Sequence, residues 1–388
     1  MRVLHVAPSF ARRDGGPSEV LRGLIPALRS LGATVELIAT DKGVNESDAD
    51  LLSDPGTTVF RSHQPDSWTF CPAMAGPMQD AVRRADIVHI HSIQTFTSTI
   101  TMRAARKANV PYVIQPHGAL DSYHWKQRKL KKSFYMASID RFGVNGLDGV
   151  LYSSPRETAD GAAVLRKVPA FSMPLGVDPS LLTLARTIPA YGPQEVLFLG
   201  RVTAKKRLDV LLEAFAEPRL RDLDARLTVA GPIDARLAYD PLELAAQLGV
   251  ADRVDFLGQV DAAMRRRLLA RAAIFVLPSE DESFGVAVAE ALAAGCPVIA
   301  TSQVGIASTA EAEGGLRICA LDPTDIAAVL GELLESPSEA ATLGQRGQAH
   351  ARGRYTWEHA AKAALSCYER VTSTRSQTSR RMWAQEGF

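Results

Sequence analysis

Two acidic side chains between positions 278 and 301 are the residues best suited to chemistry. Glu282 lies in a loop-like stretch, and Glu290 follows it at the spacing Glu-x7-Glu, inside a segment, residues 285–294, that is otherwise apolar. A helix that is apolar on every side is a buried helix, and an ionised Glu is almost never buried without a partner. Glu290 therefore needs a hydrogen-bond donor, which could be a ribose diol or a structural arginine. The unpaired N–H groups at the start of this helix favour an anion such as a phosphate.

This segment resembles the donor-sugar motif of the retaining glycosyltransferases of family GT4, which have the GT-B fold. In that family the first Glu holds hydroxyls of the donor sugar and the second holds the ribose of the nucleotide. The resemblance implies these roles for Glu282 and Glu290. It also implies that the donor is bound by the turn and helix start between them, which consist of Ser283, Phe284, Gly285 and Val286.

A second motif, residues 200–206, follows a predicted buried strand and carries Arg201 and Lys206. Ligands of open α/β sheets bind outside the carboxyl ends of the strands, so we expect these cations near the Glu282 loop. Fixed cations there would stabilise the negative charge that develops on a departing nucleoside diphosphate. GT4 proteins carry an Arg and a Lys five residues apart at this point, which implies that role for Arg201 and Lys206.

Two features of the cationic motif leave alternatives open. Many GT4 members have Gly where this chain has Arg207. Because Lys205, Lys206 and Arg207 are adjacent, the assignment of the phosphate-binding Lys could also shift by one position. The alternative to a ligand-binding role for the whole motif is a solvated, basic helix start.

Two motifs in the first half of the sequence extend the resemblance. His117 and the glycine after it follow a predicted strand, where an imidazole can approach a ligand. The family's corresponding His contacts the donor sugar and phosphate, which implies that role for His117; a structural, hydrogen-bonded His is the alternative. In GT4 proteins a Gly-Gly loop after the first strand lies beside the donor diphosphate and the acceptor, which implies that place for Gly15 and Gly16. This glycine pair is a weak signal alone, because it lacks the spacing of a dinucleotide-binding motif.

Two pairs of residues resemble metal ligands without supporting a metal site. Asp48 and Asp50 match an Asp-x-Asp pattern, but they lie in a polar stretch rather than at a strand end, so chance is the better explanation. His89 and His91 point to the same side of a predicted strand. No third ligand is near them in the sequence, which favours hydrogen-bonded strand-end histidines over a metal site. We predict no metal, and no cofactor besides the nucleotide-sugar co-substrate.

Short β-rich runs alternate twice with helical patterns, which predicts an α/β fold with two Rossmann-like domains. The GT-B resemblance implies that the domains face each other across a cleft and that a C-terminal helix crosses back to the first. The predicted domains are an acceptor-side domain at 1–178 with the returning helix at about 356–371, and a nucleotide-sugar-binding domain at 190–355. A disordered tail is expected at 372–388. The predicted strands are residues 3–6, 34–39, 86–91, 112–115, 149–153, 171–173, 195–199, 226–230, 254–257, 274–277 and 297–300.

Composition excludes several classes of protein. With 388 residues and 46% hydrophobic content, the chain can bury two cores, and its net charge of +1 gives no general attraction to nucleic acid or anionic lipid. Its four cysteines lack metal-ligand spacing, and no segment has the pattern of a signal peptide or a membrane span. We therefore expect a cytoplasmic protein that does not bind nucleic acid. A basic, aromatic stretch at 125–136 could contact the inner face of a membrane, or could be a solvated helix face.

The order of the four motifs extends the resemblance to about Tyr368 and implies a retaining glycosyltransferase. Such an enzyme would move a hexosyl group from a nucleotide-diphosphate sugar to a hydroxyl of a saccharide or lipid-linked saccharide, in cell-surface or exopolysaccharide biosynthesis. A non-hydrolysing nucleotide-sugar epimerase shares the two-domain plan, and a non-catalytic sugar-nucleotide-binding scaffold would keep the same fold. The Glu-x7-Glu and Arg-x4-Lys motifs resemble transferases more closely, and each motif position keeps a competent residue.

Overall fold

The chain divides into two units, each built around its own sheet. One unit comprises Met1–Gly176 together with Trp357–Phe388, and the other comprises Val177–Thr356. The boundaries predicted from the sequence were 178, 190 and about 356. The fold comes from a computed structural model that describes residues 1–65, 68–121, 135 and 138–385.

Each unit contains one sheet of parallel strands. In chain order the strands are Arg2–Ala7 (β1), Thr34–Thr40 (β2), Thr57–Phe60 (β3), Ile87–His91 (β4), Tyr112–Gln115 (β5), Gly149–Tyr152 (β6), Ala170–Ser172 (β7), Gln194–Leu199 (β8), Ala225–Ala230 (β9), Val254–Gly258 (β10), Ile274–Leu277 (β11), Val298–Thr301 (β12) and Arg317–Cys319 (β13). The strand order is β3-β2-β1-β4-β5-β6-β7 in the first unit and β10-β9-β8-β11-β12-β13 in the second. Strands covered on both faces have near-continuous apolar sequences, and β11, with the sequence IFVL, is buried at every position.

Helices connect most of these strands. They are Gly16–Ser30 (α1), Ala49–Leu52 (α2), Ala75–Arg84 (α3), Phe96–Ala108 (α4), Arg141–Val144 (α5), Pro155–Val164 (α6), Pro179–Leu182 (α7), Leu208–Ala216 (α8), Pro218–Arg221 (α9), Pro241–Gln247 (α10), Ala262–Arg271 (α11), Val286–Ala293 (α12), Ala307–Ala312 (α13), Pro323–Glu335 (α14), Pro337–Arg354 (α15) and Trp357–Gln385 (α16). Side-chain oxygens accept hydrogen bonds from the first turns of α4, α6, α7, α10, α11 and α14, and the capping residues are Thr95, Ser154, Asp178, Asp240, Asp261 and Asp322.

The strand order of each sheet reverses between two central strands, which are β1 and β4 in the first unit and β8 and β11 in the second. Such a switch point opens a crevice at the carboxyl ends of the strands, where ligands of α/β proteins bind. The loop after β1 ends at Gly15, next to the first residue of α1, Gly16. The segment after β8 carries Arg201 and Lys206, and the loop after β11 carries Glu282. The fold therefore places these predicted site residues at the switch points.

The predicted α/β class with two Rossmann-like sheets is confirmed. Each of the predicted strands is present, with its ends within one residue of the prediction. Strands β3 and β13 were not predicted; they lie at sheet edges and contain exposed or half-buried polar residues. Pro26 lies inside α1, and the helix continues past it to Ser30.

The C-terminal helix α16 belongs to the first unit and packs against α1. Its first residue, Trp357, lies over two glycines: a Cβ added to Gly23 would be 1.9 Å from the indole Cε2, and one added to Gly176 would be 2.4 Å from Cδ2. Farther along α16, the Tyr368 hydroxyl lies 2.7 Å from Nδ1 of His89. The returning helix predicted from the sequence is therefore part of the first unit.

The same helix extends to Gln385, where the sequence predicted a disordered tail from residue 372. Arg375 donates hydrogen bonds to the Asp148 carboxylate at 2.6 Å and to the Val110 carbonyl at 3.3 Å. These bonds attach the start of the polar extension to the first unit. Composition alone could not show them, because both partners lie more than two hundred residues earlier in the chain.

Within the described part of the chain, the helices are too short or too polar to cross a bilayer. The basic stretch 125–136, for which membrane contact was predicted, lies outside the described residues except for Tyr135. The Tyr135 hydroxyl accepts a hydrogen bond from the Trp68 indole at 2.5 Å and lies 3.0 Å from the Thr99 hydroxyl. This one aromatic side chain of the stretch is thus bound to the first unit.

We expect Gly23→Ala to destabilise the first unit, because the added methyl group would displace the Trp357 indole. Overpacking of this kind costs about 1–3 kcal/mol, which opposes the roughly 1 kcal/mol that Ala gains over Gly in a helix. Gly76→Ala in α3 is the matched control, since no described atom lies within 4 Å of its added Cβ. Urea unfolding followed by circular dichroism measures both variants. An unchanged midpoint for Gly23→Ala would contradict the packing of α16 on α1.

Candidate functional site

Lys206 and Glu282 form the centre of the candidate site in the second unit. Lys206 ends a short 3₁₀ helix, Ala204–Lys206, just after β8, and Glu282 lies in the loop after β11. Because β8 and β11 are neighbours in the sheet, their carboxyl ends bring the two loops together. The Lys206 Nζ lies 3.4 Å from the Glu282 Oε1, and the two side chains are only 14% and 15% exposed. The pair offers a cation and a carboxylate side by side, which suits a ligand with both phosphate and hydroxyl groups.

The residues around Lys206 leave room for its side chain beside Glu282. A Cβ added to Gly200 would lie 2.8 Å from the Lys206 Nζ, so the missing side chain leaves room for the ammonium group. Arg207 has a φ of +49°, and its guanidinium donates to Asp209 at 2.9 Å. A positive φ favours glycine, which accounts for the Gly that many GT4 members have at this position. The structure thus brings Lys206, as the sequence predicted, to the carboxylate loop.

Arg201, the second predicted cation, is exposed at the end of β8. Arg236 donates to the Asp234 carboxylate at 2.8 Å, and this bond, assisted by the charge of Arg201, holds the pKa of Asp234 below its usual value. Arg201 therefore adds positive potential beside the loop but stays open to solvent, whereas Lys206 is partly enclosed.

The loop that carries Glu282 is fixed by backbone bonds and close packing. The Glu282 N–H donates to the Gln303 carbonyl at 3.2 Å, and the Gly305 N–H donates to the Glu282 carbonyl at 2.9 Å. Gly285 has a φ of +97°, and a Cβ there would lie 2.4 Å from the Val304 Cγ1. Only glycine fits both conditions. Helix α12 begins at the next residue, so the turn fixes the positions of its first, unpaired N–H groups.

The four residues predicted to bind the donor between the two acids differ in exposure. Phe284 is 4% exposed, and its ring meets Tyr355 edge to face with the centroids 5.4 Å apart. Its side chain packs in the core of the second unit, so a ligand could reach only its backbone. Ser283 and Val286 remain half-buried. Their contact with a donor stays a prediction, and the N–H groups at the start of α12 are the atoms suited to it.

Glu290 lies on α12 and is 7% exposed, as expected for an acid in an apolar helix. Its Oε1 accepts a hydrogen bond from Nη1 of Arg265 at 2.8 Å, and the Arg265 side chain on α11 is 32% exposed. Of the two partners that the sequence left open, the structure contains the arginine. Contact of Glu290 with a ribose stays a prediction. The sequence analysis missed Arg265, which could only have been singled out as a cation on the helix preceding β11.

His117 and Gly118 follow β5 in the first unit with φ values of +53° and +77°. The His117 Nε2 lies 3.0 Å from Nδ1 of His91, and the rings stack with their centroids 5.3 Å apart. Burial lowers the pKa of His117 to about 3, so the ring is neutral at neutral pH. A neutral imidazole can exchange a hydrogen bond with a sugar or phosphate oxygen but adds no charge. His117 thus has the structural partner that the alternative interpretation required, and its contact with a ligand stays a prediction.

Glu157, which the sequence analysis missed, holds the backbone next to His117. It lies on α6 and is 1% exposed. Its Oε1 accepts from the Gly118 N–H at 2.7 Å, and its Oε2 accepts from both the N–H and the hydroxyl of Ser153 at 2.7 Å. Burial raises the pKa of Glu157 while these hydrogen bonds oppose the shift. No motif marks such a residue, because its partners come together only in the folded sheet.

The Gly-Gly loop of the first unit is supported by the acids of the Asp-x-Asp pattern. Helix α1 begins at Gly16, and Asp48 is fully buried. The Asp48 Oδ1 accepts from the Arg12 N–H at 2.9 Å and from the Arg22 guanidinium at 2.7 Å, and Asp50 accepts from Arg22 at 2.9 Å. Both carboxylates therefore bind guanidinium groups and position the chain before α1. This agrees with the interpretation that the pattern matches a metal motif by chance.

Three histidines of the first unit have ring nitrogens within 4.8 Å of one another: His5 on β1, and His89 and His91 on β4. The third imidazole, His5, comes from the adjacent strand, which is why the sequence offered no third candidate. The His5 Nδ1 and His91 Nε2 are 2.8 Å apart. Two nitrogens that bind one tetrahedral zinc at about 2.0–2.1 Å would be roughly 3.3 Å apart. The short distance indicates a hydrogen bond, and we interpret the cluster as hydrogen-bonded imidazoles.

We expect Glu157→Gln to destabilise the first unit by about 1–3 kcal/mol, because the amide would direct an N–H₂ group toward backbone N–H donors. Asp160→Asn on the same helix is the control and should have little effect. Thermal unfolding measures both variants. A Glu157→Gln protein with the parental melting temperature would contradict the assigned hydrogen bonds.

Sequence models of two glycosyltransferase domains match most of the chain. The model described as a glycosyl transferase 4-like domain matches residues 15–176, and the one described as glycosyl transferases group 1 matches residues 193–336. A D-inositol 3-phosphate glycosyltransferase from Stackebrandtia nassauensis is 30% identical over 318 residues, which cover 76% of this chain and 70% of that protein.

Other similarities are more local or concern the fold alone. D-inositol 3-phosphate glycosyltransferase 2 from Catenulispora acidiphila is 38% identical over 185 residues, 45% of this chain and 43% of that protein. In this and four further relatives the match spans 40–44% of the relative's length. The crystal structure of HepE from Anabaena in complex with UDP superimposes with a TM-score of 0.73 at 19% identity, covering 97% of this chain and 100% of that one. The two family matches and the shared GT-B fold show that this chain belongs to the group 1 glycosyltransferases of family GT4, a family of transferase enzymes.

Proposed function

We propose that the protein is a retaining glycosyltransferase that moves a hexosyl group from a nucleoside-diphosphate sugar to a hydroxyl of a saccharide or lipid-linked saccharide. Cell-surface or exopolysaccharide biosynthesis is the pathway that we propose for it. The observation that carries this proposal is the 3.4 Å pair of Lys206 and Glu282 at the carboxyl ends of β8 and β11. A sugar diphosphate presents hydroxyl donors and phosphate acceptors on adjacent groups, which is the complement of this pair.

In the proposed reaction, Lys206 and Arg201 act on the leaving group. When the bond between the anomeric carbon and the phosphate oxygen breaks, negative charge accumulates on the nucleoside diphosphate. A fixed ammonium group, a nearby guanidinium and the N–H groups at the start of α12 stabilise that charge more strongly in the transition state than in the ground state. Because these groups supply positive charge, we propose that transfer needs no metal ion.

Glu282 has a separate role, which is to hold the donor sugar. Its carboxylate accepts hydrogen bonds from sugar hydroxyls, and its loop is fixed by backbone bonds to the segment after β12. Without a ligand, Lys206 partly neutralises Glu282; on binding, the hydroxyls take over part of that contact while the ammonium turns to phosphate. We assign no side chain as a nucleophile, since GT4 enzymes are described with attack from the same face as the leaving group.

Glu290 is proposed to hold the ribose of the donor. Its hydrogen bond to Arg265 orients the carboxylate and prevents an unpaired charge in the apolar helix. We propose that the ribose diol shares the Glu290 carboxylate with Arg265, whose side chain is 32% exposed.

For location, we propose a reducing compartment, the cytoplasm. The cysteines at 71, 296, 319 and 367 are all free and buried. Buried thiols without disulfides are typical of proteins that are kept reduced. Contact with the inner face of a membrane remains a proposal from the sequence of residues 125–136 alone.

We expect Lys206→Ala to lower turnover by about 100- to 1,000-fold, the usual effect of removing one group that stabilises transition-state charge. Glu282→Ala should lower kcat/KM by about 10- to 100-fold through lost hydrogen bonds to the sugar. Transfer is measured with the donor whose nucleotide, among UDP, GDP and ADP, raises the melting temperature most.

Lys205→Ala is the matched control for these variants, because it removes an adjacent cation outside the proposed contacts. It should keep near-parental activity. The melting temperature of each variant is measured as well, because the Lys206 and Glu282 side chains are only 14% and 15% exposed and removing one of them leaves the other charge without its ion pair. Activities are compared at a temperature at which all of the variants remain folded. Parental turnover by Lys206→Ala or Glu282→Ala, or epimerised donor formed without an acceptor, would contradict the proposed function.

A further inference from the structure

Three imidazoles of the first unit form a continuous chain of hydrogen bonds that ends at His117. The His5 Nδ1 lies 2.8 Å from the His91 Nε2, and the His91 Nδ1 lies 3.0 Å from the His117 Nε2. The rings of His5 and His91 stack with centroids 5.1 Å apart, and those of His91 and His117 with centroids 5.3 Å apart. His91 therefore uses both of its nitrogens to join the other two rings.

All three rings are neutral. Burial, assisted by the charge of Arg29, lowers the pKa of His5 to about 3, and burial also lowers the pKa of His117 to about 3. The pKa of His91 is likewise lowered by burial and by the imidazoles around it. A neutral imidazole has one N–H donor and one acceptor nitrogen. The chain can consequently run in only two ways: every ring carries its proton on Nδ1, or every ring carries it on Nε2.

The environment of His5 distinguishes these two directions. His5 is fully buried, and within the described residues its Nε2 has no hydrogen-bond partner. If the rings carried their protons on Nε2, His5 would bury an unsatisfied N–H donor. If they carry them on Nδ1, His5 leaves only a bare lone pair. Among backbone groups, orphaned buried N–H donors are rarer than under-satisfied carbonyl acceptors, and by the same reasoning protons on Nδ1 are favoured for these rings.

We propose that His5 and His91 hold His117 in the tautomer protonated at Nδ1, so that its ring can donate, but not accept, a hydrogen bond at that atom. His5 and His91 are positioning residues, which act through His117. The group that meets His117 must then be an acceptor oxygen, such as a phosphate oxygen, rather than a hydroxyl that gives up its proton. His117 is also excluded as a general base at Nδ1. The identity of this acceptor rests on the proposed function, whereas the tautomer does not.

The direct test is a long-range ¹H–¹⁵N correlation spectrum of the full-length protein labelled with ¹⁵N-histidine, recorded at pH 7. Signals are assigned by His→Gln substitution at each position. We expect His5, His91 and His117 to show the pattern of a neutral ring protonated at Nδ1. A proton on Nε2 of His117, or a charged His117 ring, would overturn the proposal.

A kinetic test separates positioning from a purely structural role. His91→Leu breaks the chain and should lower kcat/KM for the donor about tenfold, because His117 is no longer held in one tautomer. His91→Gln keeps one acceptor and one donor and should recover most of this loss. His359→Gln, an exposed histidine of α16, is the control and should match the parent. Parental kcat/KM in His91→Leu, or equal losses in His91→Leu and His91→Gln at equal melting temperatures, would overturn the positioning role.

The two tests also separate this inference from the proposed function. A chain protonated at Nδ1 in a protein that transfers no sugar would leave the tautomer assignment intact and remove the proposed activity. An active transferase with His117 protonated at Nε2 would do the opposite.

Discussion

The pairing of Lys206 with Glu282 depends on the order of parallel strands in the second unit. The two residues are far apart in the chain, but the loops that carry them leave adjacent strands, β8 and β11, at the point where the strand order reverses. At that point a crevice opens outside the carboxyl ends of the strands, and the loops that follow the strands line it. A cation and a carboxylate are therefore held 3.4 Å apart by the sheet itself. The strand order brings the two residues together, and the other contacts around them only orient their side chains.

Buried carboxylates lie beside the predicted site residues of each unit, and Glu290, Asp48 and Glu157 each have defined hydrogen-bond donors. Glu290 accepts from Arg265, and Asp48 accepts from Arg22. Glu157 differs, because its partners are two backbone N–H groups and a hydroxyl. One of these N–H groups belongs to Gly118, so Glu157 holds the backbone next to His117. An unpaired carboxylate in such surroundings would be costly, so each acid fixes the geometry of the groups around it. Asp48 and Glu157 hold the backbone around the predicted site residues without themselves needing to contact a ligand, whereas Glu290 is also proposed to hold the ribose.

Most of the fold followed from local sequence, because buried parallel strands are short apolar runs between helical patterns. β11 and β12 are examples, and their ends were predicted within one residue. β3 and β13 were missed since edge strands do not require a continuous apolar sequence. The extension of α16 was missed for a different reason: its polar residues bond to the first unit through contacts such as Arg375 to Asp148.

The candidate site was predictable where a motif contains its own chemistry, as for Lys206 and Glu282. It was not predictable where a residue acts through a partner distant in sequence. Arg265, Glu157 and His5 belong to this second kind. For His5, the relevant neighbour lies on an adjacent parallel strand, and sequence distance hides that proximity. Of the adjacent cations, Lys206 pairs with Glu282, whereas Arg207 binds Asp209 and lies 3.7 Å from Glu280. Lys206 as the phosphate-binding residue stays a prediction.

The most direct test of the account is calorimetric binding of a nucleoside diphosphate and of its nucleoside to the parent protein and to Lys206→Ala. The base of both ligands is that of the nucleoside diphosphate, among UDP, GDP and ADP, that binds the parent protein most tightly. The account predicts that the substitution lowers the affinity for the nucleoside diphosphate about tenfold or more and leaves the affinity for the nucleoside unchanged, because the ammonium group contacts only phosphate. Equal losses of affinity for the two ligands, or an unchanged affinity for the diphosphate, would contradict the assignment of Lys206 to the leaving group.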